Sequence, residues 1–360
     1  MSNMPKVVVG MSGGVDSSVA AALLVEQGYE VIGVILRLWS EPSREGSNRC
    51  CTPDSMAQAR RVAALLGFPF YTIDAKELFH HVVVEMFMAE YSRGLTPNPC
   101  ITCNQIIRWG FLLNRAQLMG ADYLATGHYA RLNKLVNGTV QLLEGIDLNK
   151  DQSYVLSILN QEQLSHTILP LGNYTKPEVR QLAHKFNLPV AERAESQDLC
   201  FLGGIDYRLF LQVHNPGAIK PGLIVNRQGD ILGKHEGLAY YTIGQRKGIR
   251  ISAATPLYVI EKNLDENMLV VGSESELGFS KLIAYNINWI GDKPADVIIR
   301  AQVKTRYKAK KAWSTIRQLP DKVLLFEFDE PQRDLTPGQN AVIYQDNVCL
   351  GSGIIKEVYK

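Results

Sequence analysis

Glycine, serine and aspartate crowd into Gly10-Met11-Ser12-Gly13-Gly14-Val15-Asp16-Ser17, a composition suited to holding phosphate. Val7-Val8-Val9 runs into this turn as a β-branched strand, and an Ala/Leu-rich helix follows from Val19 to Glu26. The first N–H groups of a helix lack intrahelical partners, and glycines let a phosphate come close to them. No lysine follows the second glycine, so this is not a Gly-x-x-x-x-Gly-Lys-Ser/Thr loop. Two glycines alone would mark an ordinary strand-to-helix turn; Ser12, Asp16 and Ser17 add hydroxyls and a carboxylate. Thiols are the second chemical group. Cys103 ends the run Pro97-Asn98-Pro99-Cys100-Ile101-Thr102-Cys103 just before a helix. The prolines are expected to hold off helix upstream and leave Cys103 in the first turn, where the dipole favours thiolate. Cys200 lies in Glu195-Ser196-Gln197-Asp198-Leu199-Cys200-Phe201, a polar loop giving way to apolar residues. Spacing alone does not bring the two thiols together.

The elements that must position these groups alternate from Lys6 to about Phe210. Val31 to Leu36, Phe70 to Ile73 and Tyr123 to Gly127 read as strands. Pro53 to Leu66, Lys76 to Ser92 and Asn104 to Met119 read as helices, the last with Ile106, Trp109, Leu113 and Ala116 at helical spacing. Such alternation predicts an α/β fold, a doubly wound parallel sheet covered on both faces. Ligands of such sheets bind beyond the carboxyl ends of the strands. The Ser12 turn, the residues after Leu36 and Gly127-His128 then share one edge. After His214 turn signals crowd in (Asn215-Pro216-Gly217, Lys220-Pro221-Gly222, Gln228-Gly229-Asp230) between short strand-like runs. Further on, Val297 to Lys310, Val323 to Phe328, Ala341 to Tyr344 and Val348 to Val358 alternate like strands of a closed or nearly closed barrel. The expected division is residues 1–210 for the nucleotide-binding segment, 211–275 for a small β-rich domain and 276–360 for the barrel.

With 360 residues, 46% of them hydrophobic, the chain can bury more than one core. A net charge of only +2 means that any nucleic-acid affinity must come from local patches. Met1 to Lys6 does not read as a signal or transit peptide, and no window reaches the roughly 20 unbroken apolar residues of a membrane span. A cytoplasmic location follows as the expectation, with no membrane partner. The six cysteines then sit in a reducing compartment, where paired thiols point to catalysis or metal.

Six segments occur in one order: Ser-Gly-Gly-Val-Asp-Ser, Asn-Pro-x-x-x-Cys-Asn, Ala-Thr-Gly-His-Tyr (Ala125 to Tyr129), Lys-Asp-Gln-Ser-Tyr (Lys150 to Tyr154), Glu-Ser-Gln-Asp-x-Cys and Tyr-Thr-Ile-Gly-Gln-Arg-x-Gly (Tyr241 to Gly248). The first resembles the loop of the ATP pyrophosphatase (PP-loop) superfamily, and the whole set resembles the tRNA-specific 2-thiouridylases, nearly end to end. The resemblance implies a sulfurtransferase that replaces the 2-oxygen of the wobble uridine, in tRNAs of the Lys/Glu/Gln type, with sulfur. It implies ATP and Mg2+ as cofactors, with Gly10, Met11, Ser12, Gly13, Gly14, Val15, Asp16, Ser17, Leu36 and Gly127 around ATP, Asp16 near the metal. It implies a Cys200 persulfide, received from a sulfur relay protein, and Cys103 as the nucleophile that discharges it, leaving a Cys103–Cys200 disulfide. Asn98, Pro99 and Cys100 would border the target base. His128, Lys150, Asp151, Gln152, Arg306, Tyr307 and Gln339 would contact tRNA.

One position departs from the family pattern. Familiar members carry Asp where this chain has Cys100. Cys100, Cys103 and Cys200 could instead hold an iron–sulfur cluster with one open iron position. A zinc site would need a fourth ligand, which only Cys50-Cys51 could supply, at an adjacent spacing poor for chelation. Cys50 and Cys51 otherwise read as structural, and Cys349, in an apolar strand, as core. Arg300 to Arg317 holds seven Lys/Arg and no acidic residue. Lys304, Arg306, Lys308 and Lys310 alternate, so one strand would present four cations for backbone phosphates; a solvated barrel face would look the same. An ideal strand points Arg306 and Tyr307 oppositely, so both can touch RNA only at a bulge or strand end. Two other functions remain open: a small-molecule PP-loop ligase, which needs neither the cysteines nor a basic barrel, and an RNA-binding protein without catalysis.

Overall fold

The structure, a computed structural model, describes residues 4–41, 52–194, 199–291, 298–333 and 335–360. The first seven strands are β1 (Lys6–Gly10), β2 (Glu30–Arg37), β3 (Phe70–Asp74), β4 (Tyr123–Ala125), β5 (Ala130–Lys134), β6 (Val140–Glu144) and β7 (Thr167–Ile168). Five of them form a parallel sheet in the order β3-β2-β1-β4-β7. Alternation along the strands sorts side chains into two cores. Val7, Val9, Val31 and Ile35 pack with Val19, Ala59, Val62 and Val179 from the helices Val15–Glu26, Pro53–Leu66 and Lys176–Lys185. Val8, Ile32 and Val34 pack on the other face with Trp109, Leu112, Ala116 and Leu164. The sheet is doubly wound, as expected. From β1 the chain order runs outward to β2 and β3, then returns to β4 on the other side. The reversal point of an open parallel sheet is its ligand crevice, and here it lies between the loops after β1 and β4.

Two helices carry long π-helical stretches. Residues 76–92 form one helix, π-helical at His80–Val84; residues 99–118 form another, π-helical at Cys103–Leu112. The second starts earlier than its sequence suggests. Pro99 occupies the first helical position, where a missing N–H costs nothing, and the Asn98 side chain accepts the Ile101 N–H at 3.4 Å.

A four-stranded sheet follows, from β8 (Gly222–Val225), β9 (Ile231–His235), β10 (Tyr258–Asn263) and β11 (Met268–Gly272), in the order β10-β11-β8-β9. Then come β12 (Phe279–Trp289), β13 (Ile298–Lys304), β14 (Ala312–Gln318), β15 (Leu324–Gln332), β16 (Asn340–Gln345) and β17 (Val348–Tyr359). These run β12-β15-β14-β13-β16-β17, and β17 pairs back onto β12, closing a six-stranded barrel. The hairpin β5–β6 leaves the nucleotide-binding segment and adds to β17, with Val348 opposite Leu143 and Cys349 opposite Leu142. Sequence reading did not foresee this hairpin, although Asn137-Gly138 between two alternating runs is a turn signal for one. Cys349 is buried at 1% exposure, and burial pushes its thiol pKa up.

Candidate active site

The loop after β1 is shaped by contacts that only glycine permits. Gly13 has φ +71°, and an added Cβ would collide with the backbone of Ser55. Ser55 lies in the first turn of the helix Pro53–Leu66, whose Thr52 cap accepts the Ser55 N–H at 2.9 Å. Gly14 caps the helix Val15–Glu26 without a side-chain bond to its first turn. Ser12 and Ser17 brace the loop: Ser17 Oγ accepts the Ser12 N–H at 3.1 Å, and Ser12 Oγ accepts the Gly14 N–H at 3.3 Å. Gly127, after β4, abuts the same helix start; an added Cβ would lie 2.8 Å from the Ser17 nitrogen. The loops after β1 and β4 therefore meet around one helix N-terminus, an anion-binding arrangement. Gly10, Met11 and Val15 complete the loop, and Leu36, next to last in β2, packs against two cores.

Three residues that sequence reading did not assign to the site reach this loop. Tyr129 donates its hydroxyl to Asp16 Oδ1 at 2.7 Å, and Lys176 Nζ lies 2.6 Å from the same oxygen. Arg193 donates to the Gly13 carbonyl at 3.2 Å and to Ser55 Oγ at 2.9 Å, and pairs with Asp54. Tyr129 had a local signal, since it follows Gly127-His128. Lys176 and Arg193 had none, because only the fold brings them across from distant sequence.

Asp16 takes both partners on Oδ1, so its other oxygen can meet a magnesium ion. No group of three metal-ligating side chains exists among the described residues, so such an ion would draw its remaining ligands from phosphate and water. The same observation bears on an iron–sulfur cluster: Cys100, Cys103 and Cys200 do not stand as a ligand set.

The thiols are positioned as follows. Because the helix starts at Pro99, Cys100 rather than Cys103 occupies its first turn; the expected dipole position of Cys103 is corrected by one turn. Cys100 is exposed, whereas Cys103 and Cys200 are half-buried. Cys103 and Cys200 pack against one core, formed by Phe79, Phe87, Ile107, Phe201 and Phe210 among others, and Leu36 borders it too. Glu195 to Asp198, ahead of Cys200, and Cys50-Cys51 lie outside the described residues.

The barrel closes directly onto the loop before Cys100. Thr96 N–H donates to the Pro337 carbonyl at 3.1 Å, and Gln339 Nε2 donates to the carbonyls of Thr96 at 2.9 Å and Pro97 at 3.2 Å. Gly338 takes φ +92°, and a Cβ there would crowd Leu95 and Thr96 at 3.0–3.1 Å. Tyr154 is fully buried at this junction; its hydroxyl donates to the Asn340 carbonyl at 3.1 Å and interacts with the Asn98 side chain. Arg306 donates to the Ile243 carbonyl at 3.0 Å and to Thr336 Oγ1.

The expected four-cation strand face is not present. β13 ends at Lys304, and residues 305–311 turn, with Ala309 N–H donating to the Arg306 carbonyl. That strand end satisfies the condition set above for Arg306 and Tyr307. Lys304 is buried and faces Asp151 at 3.7 Å. Lys311 pairs with Glu144 at 2.9 Å, and Arg300 and Arg317 pair with Asp329 and Glu327. Lys308 and Lys310 remain exposed, with no ion pair among the described residues.

Asp151 also corrects an expectation of direct RNA contact, because its carboxylate is buried. It accepts the N–H groups of Gly145 and Ser153 and the Ser153 hydroxyl. Gln152 Oε1 accepts the Tyr129 N–H at 3.0 Å, linking this segment to the phosphate loop, while Lys150 stays half-exposed. His128 is buried with Nδ1 2.7 Å from Thr126 Oγ1; desolvation, then the nearby Arg108, hold its pKa well below the usual histidine value.

Comparison with known proteins fits this geometry. A tRNA methyl transferase HUP domain family model matches residues 5–204, a tRNA methyl transferase PRC-barrel domain residues 208–273, and an aminomethyltransferase beta-barrel domain residues 279–355. A tRNA-specific 2-thiouridylase of Moorella thermoacetica is 46% identical over 356 residues, 98% of this chain and 99% of that one. Those of Caldanaerobacter subterraneus subsp. tengcongensis and Carboxydothermus hydrogenoformans are each 45% identical over 98% of both chains. Among solved structures, NMN synthetase from Francisella tularensis overlaps 58% of this chain and 73% of its own at TM-score 0.35 and 17% identity. At this identity and coverage, the chain belongs to the tRNA-specific 2-thiouridylase family.

Proposed function

We propose that this protein replaces the 2-oxygen of the tRNA wobble uridine with sulfur, using ATP. Uridine O2 attacks the α-phosphorus of ATP and pyrophosphate leaves, so AMP becomes the leaving group on C2. The first N–H groups of the helix that Gly14 caps and the hydroxyls of Ser12 and Ser17 hold the departing pyrophosphate, with Lys176 and Arg193 supplying positive charge. Mg2+, carried mainly by the phosphates and met by Asp16, would neutralise charge developing on them. The backbone at Leu36 and Gly127 brackets the adenine nucleotide.

The terminal sulfur of a Cys200 persulfide then attacks C2 and AMP departs. Cys103 thiolate attacks Cys200 Sγ, the bond to the transferred sulfur breaks, and 2-thiouridine is released. Two electrons come from the thiols, which end as a Cys103–Cys200 disulfide awaiting reduction. A sulfur relay protein reloads Cys200. Asn98, Pro99 and Cys100 border the base. Lys150, Gln152, Arg306 and Tyr307 contact the tRNA backbone, and Asp151, His128 and Gln339 hold those segments from behind. Tyr154 ties the Asn98 loop to the barrel. Its dependence on reduced thiols makes the cytoplasm its compartment, and no helix among the described residues is long and apolar enough to cross a membrane.

One observation carries the reading: Cys103, Cys200 and Leu36, far apart in sequence, border a single core, and Leu36 lies on the strand paired with β1. The test supplies tRNA, ATP and a radiolabelled persulfide donor. Cys200→Ser should release pyrophosphate and leave adenylated tRNA without labelling it with sulfur, while Cys103→Ser should accumulate a tRNA–protein adduct that a thiol reductant cleaves. Normal thiolation by Cys200→Ser would overturn the assignment, and absence of the adduct would favour release of the sulfur as sulfide.

A further inference from the structure

The Tyr241–Gly248 segment has so far no role in the chemistry. We propose that its turn, at residues 243–250, is a second grip on the tRNA backbone, through Arg246 and Lys247. This rests on tRNA being the substrate.

The turn is held rigidly. Gln245 Oε1 accepts the Thr242 N–H at 3.1 Å, and its Nε2 donates to the Lys247 carbonyl at 2.8 Å. Gly244 N–H donates to the Val259 carbonyl at 2.8 Å, and Val259 N–H returns a bond to the Gln245 carbonyl at 2.9 Å, clamping the turn to β10. Gly244 and Gly248 take φ of +85° and +83°, which turns the chain between them outward. Arg246 and Lys247 stand exposed at its tip, and neither makes an ion pair among the described residues.

A third cation stands close to the turn. The Arg208 guanidinium lies beneath Gly248, where an added Cβ would approach it to 3.3 Å, and sits 5.9 Å from the ring centres of Tyr207 and Tyr240. Two carboxylates are near. Asp206 accepts the Arg208 backbone N–H at 2.7 Å, and Glu236 pairs with Arg250 at 3.0 Å across an exposed gap. Neither reaches the tip, so positive charge is in excess there.

Continuity with the barrel selects the partner. Arg306 donates to the carbonyl of Ile243, the first residue of the turn. Arg246 follows three residues later, so its backbone lies within about 11 Å of that contact. A nucleotide turned out of its stack needs the backbone beside it held, and such contacts position without reading sequence. A rigid turn forms them with little ordering cost.

The experiment measures binding of a fluorescent tRNA transcript across a salt series for the wild type, Arg246→Ala/Lys247→Ala and Arg246→Glu/Lys247→Glu. The alanine pair should bind about tenfold more weakly at low salt, its log–log salt slope reduced by roughly two, and the glutamate pair more weakly still. Melting temperature and ATP binding should stay at wild-type values. Wild-type affinity and slope in both variants would overturn the inference. So would a defect confined to Cys200 loading by the relay protein, which would make the turn a protein-docking surface. If the wild type itself does not bind tRNA, the substrate reading falls and takes this inference with it.

Discussion

The phosphate loop and the basic run of the barrel both announce themselves in sequence, yet they fold into opposite situations. In the loop, residues expected to act together do so: Ser12, Gly13, Gly14 and Ser17 brace one another within a few residues of chain. In the basic run the cations are dispersed, and Lys304, Lys311, Arg300 and Arg317 are each met by a carboxylate from elsewhere. The difference is one of range. Backbone conformation and helix capping are settled locally, whereas the partner of a charge is settled by which distant strand arrives beside it. Asp151 and Glu144, which neutralise two of the lysines, enter with the segment that adds the β5–β6 hairpin to the barrel.

The largest expected effect tests the local side. Gly13→Ala would force a Cβ into the Ser55 backbone at a φ that L-residues rarely adopt. Displacing the loop by even an ångström should lower tRNA-dependent AMP formation by about 100-fold or more. Near-normal AMP formation would mean that the loop does not need its present contact with the helix Pro53–Leu66. Next in size is the distant side. Lys304→Ala leaves the buried Asp151 carboxylate without its cation, and should cost about 2–4 kcal/mol in urea denaturation. The salt slope of tRNA binding should not change. Unchanged stability with a reduced slope would return Lys304 to the RNA-facing role its alternation suggests.

What could be read beforehand follows the same division. The helix read over Pro53 to Leu66 keeps both its ends in the structure. The helix carrying Cys103 was misplaced at its start because Pro99 reads as a breaker, although proline is at home in a first turn. That shift moves Cys100, not Cys103, to the anion-favouring position. Lys176 and Arg193 could not be found, since nothing near them in sequence refers to phosphate. That Cys103 and Cys200 border one core was likewise invisible. It depends on Phe201 and Phe210 packing against Phe79 and Phe87 from a helix more than a hundred positions earlier.

A pH experiment sharpens the comparison at an intermediate scale, because His128 joins the two regimes: local in sequence to Gly127, but shifted by burial and by Arg108. Its folded pKa is lowered, so the unfolded chain binds a proton first as pH falls through about 6.5. Its contribution to stability is complete above that value and is lost below it. From pH 7 to pH 5 this should remove about 1–2 kcal/mol. His128→Gln should flatten that part of the profile. A wild-type curve no steeper than the variant's would show that the imidazole protonates in place.

The smallest effect isolates a cation that the fold leaves to solvent. Lys308 lies in the turn after β13, exposed, two residues beyond Arg306. Its removal breaks no ion pair among the described residues, so Lys308→Ala should shift unfolding free energy by less than about 0.5 kcal/mol. The expected change is in binding: a few-fold loss of tRNA affinity at low salt, and a salt slope smaller by about one. Set beside Lys304→Ala, the variant separates two lysines four residues apart into one that holds the barrel together and one that meets phosphate. Equal effects of the two on stability and on slope would mean that the run acts as a single charged face after all.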